Sequence, residues 1–101
     1  MIIFNSTFLE TFKRKHADAR RPLDRWVEVT QEAQWTNFAD LRGTFGNADL
    51  VKSGGTDYTV FNIAGNRYRL VTEIDYQGIV VVVDCVLTHA DYSKERWKKT
   101  N

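Results

Sequence analysis

Tyr58-Thr59-Val60-Phe61-Asn62-Ile63-Ala64-Gly65-Asn66-Arg67-Tyr68-Arg69-Leu70-Val71-Thr72-Glu73-Ile74 is the stretch whose reading decides the fold. β-Branched and aromatic residues recur on both sides of Ala64-Gly65-Asn66, a short connection containing the residue that most readily turns a chain back on itself. The pattern predicts a hairpin, with strands over residues 58–63 and 67–74. Downstream, Asp75-Tyr76-Gln77-Gly78 turns the chain into a further strand over residues 79–87. That strand is apolar on both faces except at Asp84 and Cys85, which predicts a place inside the sheet. Upstream, residues 49–52 read as a weaker strand, separated from the hairpin by the turn Ser53-Gly54-Gly55-Thr56-Asp57.

Before residue 48 the apolar spacing is helical, apart from a short N-terminal strand at Ile2-Ile3-Phe4. Asn5-Ser6-Thr7 follows, and Thr7 with Glu10 has the spacing of a capping box. Phe8, Leu9 and Phe12 form the apolar stripe of a first helix ending near His16. Ala19, Leu23, Trp26, Val27 and Thr30 share one face of a second helix. Pro22 belongs near its first turn; with Asp18 as N-cap it would lose one hydrogen bond, so the start shifts a residue or two later. A short third helix spans residues 37–42, capped by Asn37, with Phe38, Leu41 and Phe45 inward and Gly43 and Gly46 at its end. Residues 88–101 are polar, basic toward the end, and anchored by Trp97. The expected fold is α+β, a small, mostly antiparallel, twisted sheet packed by N-terminal helices.

The 101 residues suit one domain, expected over 1–101, and 43% hydrophobic content with 13% aromatics supplies its core. These values, with one proline and six glycines, exclude intrinsic disorder and collagen-like structure. A single cysteine, Cys85, excludes an internal disulfide framework and fits a reducing compartment. The longest apolar run, residues 79–83, has five members, far short of the roughly 18 that cross a bilayer. Met1-Ile2-Ile3-Phe4-Asn5 lacks the basic start of a secretion signal, so a cytoplasmic protein with no membrane association is expected. A net charge of +1 offers no bulk attraction for polyanions, and any basic site must come from local arrangement.

Two histidines, His16 and His89, without metal-ligand spacing argue against a transition-metal site, and no phosphate-binding glycine loop or nucleophile elbow occurs. In a strand, Arg67 and Arg69 share a face, where two guanidiniums suit a phosphate. The plain alternative is a solvated face pairing with Glu73 or neighbouring acids. His89 follows the last strand and precedes Asp91 and Tyr92; a histidine there exchanges protons near neutrality and a tyrosine donates a hydrogen bond or stacks on a base, although an isolated surface histidine is commonly inert. Lys13, Arg14 and Lys15 balance the negative end of the first helix dipole and also offer charge to a polyanion.

Taken in order, Lys15-His16-Ala17-Asp18-Ala19, Pro22-Leu23 with Trp26, Ala33 with Trp35, Asp40-Leu41-Arg42, Phe61-Asn62-Ile63, Gly65-Asn66-Arg67-Tyr68-Arg69-Leu70 and Thr88-His89-Ala90-Asp91-Tyr92 resemble the HigB family of type II toxin–antitoxin systems. The resemblance spans nearly the whole chain. Ala17 departs from it where proline is expected, at a helix junction, and the near-neutral charge departs from strongly basic ribosome-dependent relatives.

That resemblance implies a RelE-like toxin, a metal- and cofactor-independent endoribonuclease or mRNA interferase that mostly cuts mRNA on the translating ribosome. It places Arg69 at the scissile phosphate, His89 in acid–base chemistry and Tyr92 in orienting the nucleotide or donating a proton. Arg67, Asn62 and Asn66 lie within the shared motif as lesser candidates for RNA contact, and His16 fits a structural role at a helix end. Lys13, Arg14 and Lys15, with Lys94, Arg96, Lys98 and Lys99, are candidate phosphate contacts in mRNA or ribosomal RNA. The implied partners are mRNA, the ribosome and a HigA-type helix-turn-helix antitoxin, operator DNA being reached only through the antitoxin complex. The competing classes are a non-catalytic RNA- or ribosome-binding module and a protein-interaction domain.

Overall fold

The computed structural model describes residues 1–98. Strand β1, Ile2–Phe4, leads into α1, Thr7–Lys15; a 3-10 turn over Ala17–Ala19 then runs into α2, Arg20–Glu32. Helix α3, Phe38–Thr44, is followed by β2, Asp49–Ser53, β3, Thr56–Ile63, β4, Tyr68–Asp75, and β5, Val80–Thr88, and α4, His89–Ser93, comes last. The strands form one sheet in the order β1-β5-β4-β3-β2, antiparallel except where β1 runs parallel to β5. This is the expected α+β arrangement, and β5 is interior as its two apolar faces require.

The helices cover one face of the sheet. Leu9 of α1, Leu23 and Trp26 of α2 and Leu41 of α3 are buried with Phe61, Ile63, Leu70, Val81 and Val83. Each buried leucine contributes about 2 kcal/mol relative to exposure. Phe8, expected in the α1 stripe, is instead exposed. The N-terminal ammonium donates to the carbonyls of Thr30 and Gln31 at 3.0 Å and of Ala33 at 3.1 Å, placing a cation at the negative end of α2 beside β1.

Several local details differ from the sequence reading. The capping box at Thr7 and Glu10 is not formed, because Thr7 is already the first helical residue and Ser6 before it has helical dihedrals, with φ −64° and ψ −11°. Glu10 pairs with Lys13 instead. Pro22 is the third residue of α2, in the first turn, where a helix tolerates the missing N–H. Asn37 caps α3 as expected, its Oδ1 accepting from the Asp40 N–H at 2.8 Å. Gly43 lies within α3 and does not end it. Strand β4 begins at Tyr68, one residue later than read, and that single residue matters for the site.

The opposite face carries a smaller cluster. Tyr58, Val60 and Val71 are buried there beneath Cys85, Leu87, Tyr92 and Trp97. A register shift lets Val71 pair with Cys85 and Thr72 with Val83, leaving Asp84 as the extra residue of a β-bulge in β5.

Candidate functional site

The first residues of β4 separate two polar clusters. The preceding turn is sharp, with Ala64 at φ 54° and Gly65 at φ 67°, and the Arg67 N–H closes it on the Ala64 carbonyl at 3.3 Å. Because Arg67 still belongs to this turn, strand alternation does not apply to it. The expected pairing of Arg67 and Arg69 on one strand face is therefore not formed. Arg67 reaches the 3-10 turn and donates from Nη1 to Asp18 Oδ2 at 2.7 Å.

Tyr68 faces the helices and donates its hydroxyl to the other carboxylate oxygen of Asp18 at 2.7 Å. Its Oη also lies 3.3 Å from Nδ1 of His16, whose ring stacks on Phe12 with centroids 4.2 Å apart. The hydrogen bond from Tyr68, and then that from Arg67, hold the Asp18 carboxyl below its ordinary pKa. The same bond raises the Tyr68 hydroxyl. His16 caps the C-terminal end of α1, its N–H donating to the Phe12 carbonyl at 2.9 Å, in keeping with the structural role read for it.

Arg69 faces the other way. It pairs across the sheet with Asn62 on β3 and Leu87 on β5, and its Nη1 donates to the carbonyls of Asn66 and Tyr68, each at 3.1 Å. These two bonds fix the guanidinium 5.8 Å from the centroid of the Tyr92 ring. Tyr92 in turn stacks on Trp97, with centroids 5.1 Å apart and planes 11° from parallel, and Trp97 meets Tyr58 edge-on. The Trp97 Nε1–H donates to the Tyr92 carbonyl at 3.0 Å, locking the stack. Burial, with the charge of Asp49 adding to it, raises the Tyr92 hydroxyl pKa against the opposing pull of Arg69. Tyr92 therefore stays protonated at neutral pH.

Helix α4 brings His89 to the same corner. Thr88 caps it, its Oγ1 accepting from the Asp91 N–H at 3.2 Å, and the His89 N–H donates to the Arg67 carbonyl at 2.9 Å. The hairpin turn and the helix start are thus tied together, with the His89 side chain exposed. Asn62 Nδ2 donates to Asn66 Oδ1 at 3.5 Å, a long bond that stiffens the turn. Arg69, Tyr92, His89, Asn62 and Asn66 are gathered at one end of the sheet; Arg67 is bonded to the helix side.

The basic residues divide in the same manner. Lys13 is turned inward and ion-paired with Asp24 and Glu10. Burial lowers its ammonium pKa, but the hydrogen bonds to those carboxylates outweigh this and hold it above the ordinary value. Arg14 and Lys15 stay exposed. Lys94 lies 3.7 Å from Asp91, and Lys98 lies 2.9 Å from Glu95 and 5.7 Å from the Trp97 ring centroid. Lys99 falls outside the described residues. Among the described residues, no three His, Cys, Asp or Glu side chains group to hold a metal, and no helix is long and apolar enough to cross a membrane.

The importance of Asp18, Tyr58 and Trp97 here exceeds what the sequence reading gave them. Alternation along β3 puts Tyr58 with Val60 and Asn62 on the Arg69 face, so its place was readable. Trp97 was visible only as an anchor. For Asp18 the signal was its position in the Lys15–Ala19 motif, since its partners lie 49 and 50 residues away.

A mostly antiparallel sheet carrying helices on one face, with a cationic and aromatic corner on the other, defines a RelE-like α+β protein. A family described as HigB toxin, the RelE-like toxic component of a toxin–antitoxin system, matches residues 19–95, and the chain belongs to it. Membership makes it a toxin with an antitoxin as its partner. No curated protein sequence matches it.

Proposed function

We propose that residues 1–101 act as one cytoplasmic domain, an endoribonuclease that cuts mRNA, on the translating ribosome, and is silenced by a HigA-type helix-turn-helix antitoxin. Operator DNA is reached only through that complex. The observation that carries this reading is the Arg69 guanidinium, fixed by two carbonyls beside the Tyr92 ring, with the exposed His89 opening the same short helix as Tyr92.

In this reading the substrate's 2′-oxygen attacks the adjacent phosphorus and the bond to the 5′-oxygen breaks, leaving a 2′,3′-cyclic phosphate and a free 5′-hydroxyl. His89 takes the 2′ proton. Arg69 stabilises the charge developing on the phosphorane, a contribution that costs about 100-fold or more in rate when a comparable donor is removed. Tyr92 donates its proton to the departing 5′-oxygen, and it regains one through solvent as His89 releases the proton it took. Asn62 and Asn66 hold the turn and contact RNA from it. Lys15 binds phosphate outside the reacting centre, whereas Arg67 and Lys13 serve mainly their ion pairs.

Primer extension on an mRNA in a reconstituted translation reaction, with and without ribosomes, tests the proposal. The expected result is new RNA ends that need ribosomes and disappear in Arg69→Ala and His89→Ala. Folded protein that binds RNA or ribosomes yet makes no ends in any condition would leave a non-catalytic binding module in its place.

A further inference from the structure

At the end of the open sheet face away from Arg69, the edge is apolar and the strands beside it are acidic. Ile3 of β1 packs into the helix-side core, so alternation turns Ile2 and Phe4 to the other face, where they are 55% and 52% exposed. Ile2 pairs with Val80, which pairs with Asp75; Phe4 pairs with Val82, which pairs with Glu73. Two rows therefore cross three strands, each running from an exposed apolar residue through a half-buried valine to a carboxylate. Asp57 joins Glu73, Asp75 and Val82 around a cleft of about 420 Å³ at the acidic end of these rows. Arg69 lies about 20 Å back along β4 at the rise of a strand, so the reaction outlined above does not reach this end. Ile79 stands at the same strand end, its carbonyl accepting the Ile2 N–H at 2.8 Å. It is 52% exposed and has φ 54°, the left-handed region that a β-branched residue enters only with strain. Glycine would serve the fold better at this position, which leaves a contact as the use of the isoleucine.

We propose that this end of the face docks the antitoxin, through a segment that lays apolar side chains on Ile2, Phe4 and Ile79 and sets a lysine or arginine in the cleft at Asp57 and Asp75. The inference rests on the antitoxin partner of the reading above and is independent of RNA cleavage. An edge strand that shows apolar side chains and no charge of its own is a liability until something covers it. The sign of the neighbouring charge selects what does. RNA would bring its phosphates against carboxylates. A second copy laid face to face across a two-fold axis would turn like carboxylates toward each other. A protein segment with apolar and basic side chains satisfies both halves, the apolar contact forming the centre and the ion pairs the rim.

Titration calorimetry of the full chain with its cognate antitoxin tests this, with the thermal midpoint and the mass in solution of each variant measured alongside. Phe4→Gln and Ile79→Gly are each expected to weaken binding by about tenfold or more. Ile79→Gly separates contact from fold, because glycine relieves the backbone; its thermal midpoint should equal or exceed that of the wild type while its affinity falls. A synthetic amphipathic peptide of leucine and lysine should compete with the antitoxin, and its leucine and glutamate counterpart should not. Wild-type affinity in both folded variants, or equal competition by the two peptides, overturns the proposal. So does a dimeric wild-type chain that Phe4→Gln makes monomeric, since the face then serves a second copy. The readout needs no cleavage. A chain that loses antitoxin in these variants yet never cuts RNA contradicts the nuclease reading alone, and one that cuts while both variants keep full affinity contradicts the docking surface alone.

Discussion

The two polar clusters at the start of β4 are built from neighbouring residues and behave differently. On the helix side, Asp18 receives both Arg67 and Tyr68 at 2.7 Å, with His16 stacked behind on Phe12. On the other side, Arg69 spends one nitrogen on two carbonyls and presents its guanidinium toward Tyr92 and an open corner. Both oxygens of the Asp18 carboxylate are taken, one by each donor, whereas the Arg69 guanidinium keeps N–H groups beyond Nη1 beside the Tyr92 ring. On the proposed function, the first cluster holds the fold and the second carries the chemistry. The two are joined by the hairpin turn, since the His89 N–H donates to the Arg67 carbonyl.

The largest effect that would sharpen this contrast is on cleavage. Arg69→Ala is expected to lower the rate by about 100-fold or more while the thermal midpoint stays near wild type, as read by primer extension and circular dichroism. Trp97→Ala comes next. It removes the ring that Tyr92 stacks on and Tyr58 meets edge-on, and both activity and thermal midpoint should fall together.

Asp18→Asn should act chiefly through stability and its pH dependence. The folded-state pKa of Asp18 is depressed, so its contribution is present above the unfolded value of about 3.9 and is lost as pH falls through the folded value. Urea melts across that acid range should therefore be steeper in pH for the wild type than for Asp18→Asn. The smallest effects separate two lysines of α1. Lys15→Gln should reduce the salt slope of RNA binding by about one unit, whereas Lys13→Gln should leave the slope unchanged and lower the thermal midpoint.

Much of this contrast was legible in the sequence, and the part that was not has a definite cause. Alternation and turn residues located β3, β4 and β5 to within two residues, because a two-residue period over a half-buried sheet leaves little freedom. The same rule failed at Arg67, where a one-residue difference in strand start moved the side chain from the sheet face to an ion pair with Asp18. The Thr7 capping box failed for a similar reason, since the spacing was correct but the helix began one residue too early for it. His89 and Tyr92 were placed just after the last strand and are found on α4, although nothing in residues 88–98 signalled that so short a helix would fold Trp97 back onto Tyr92. Long-range polar partners such as Asp18 with Tyr68 leave no local periodicity to read.

The most direct test of the division between holding and chemistry sets Arg69→Ala against Asp18→Asn in one ribosome-containing cleavage reaction, with the folded fraction of each measured in the same buffer. Folded Arg69→Ala is expected to make almost no RNA ends, and Asp18→Asn to cut in proportion to its folded fraction. Wild-type cutting by Arg69→Ala, or a folded but silent Asp18→Asn, would contradict it.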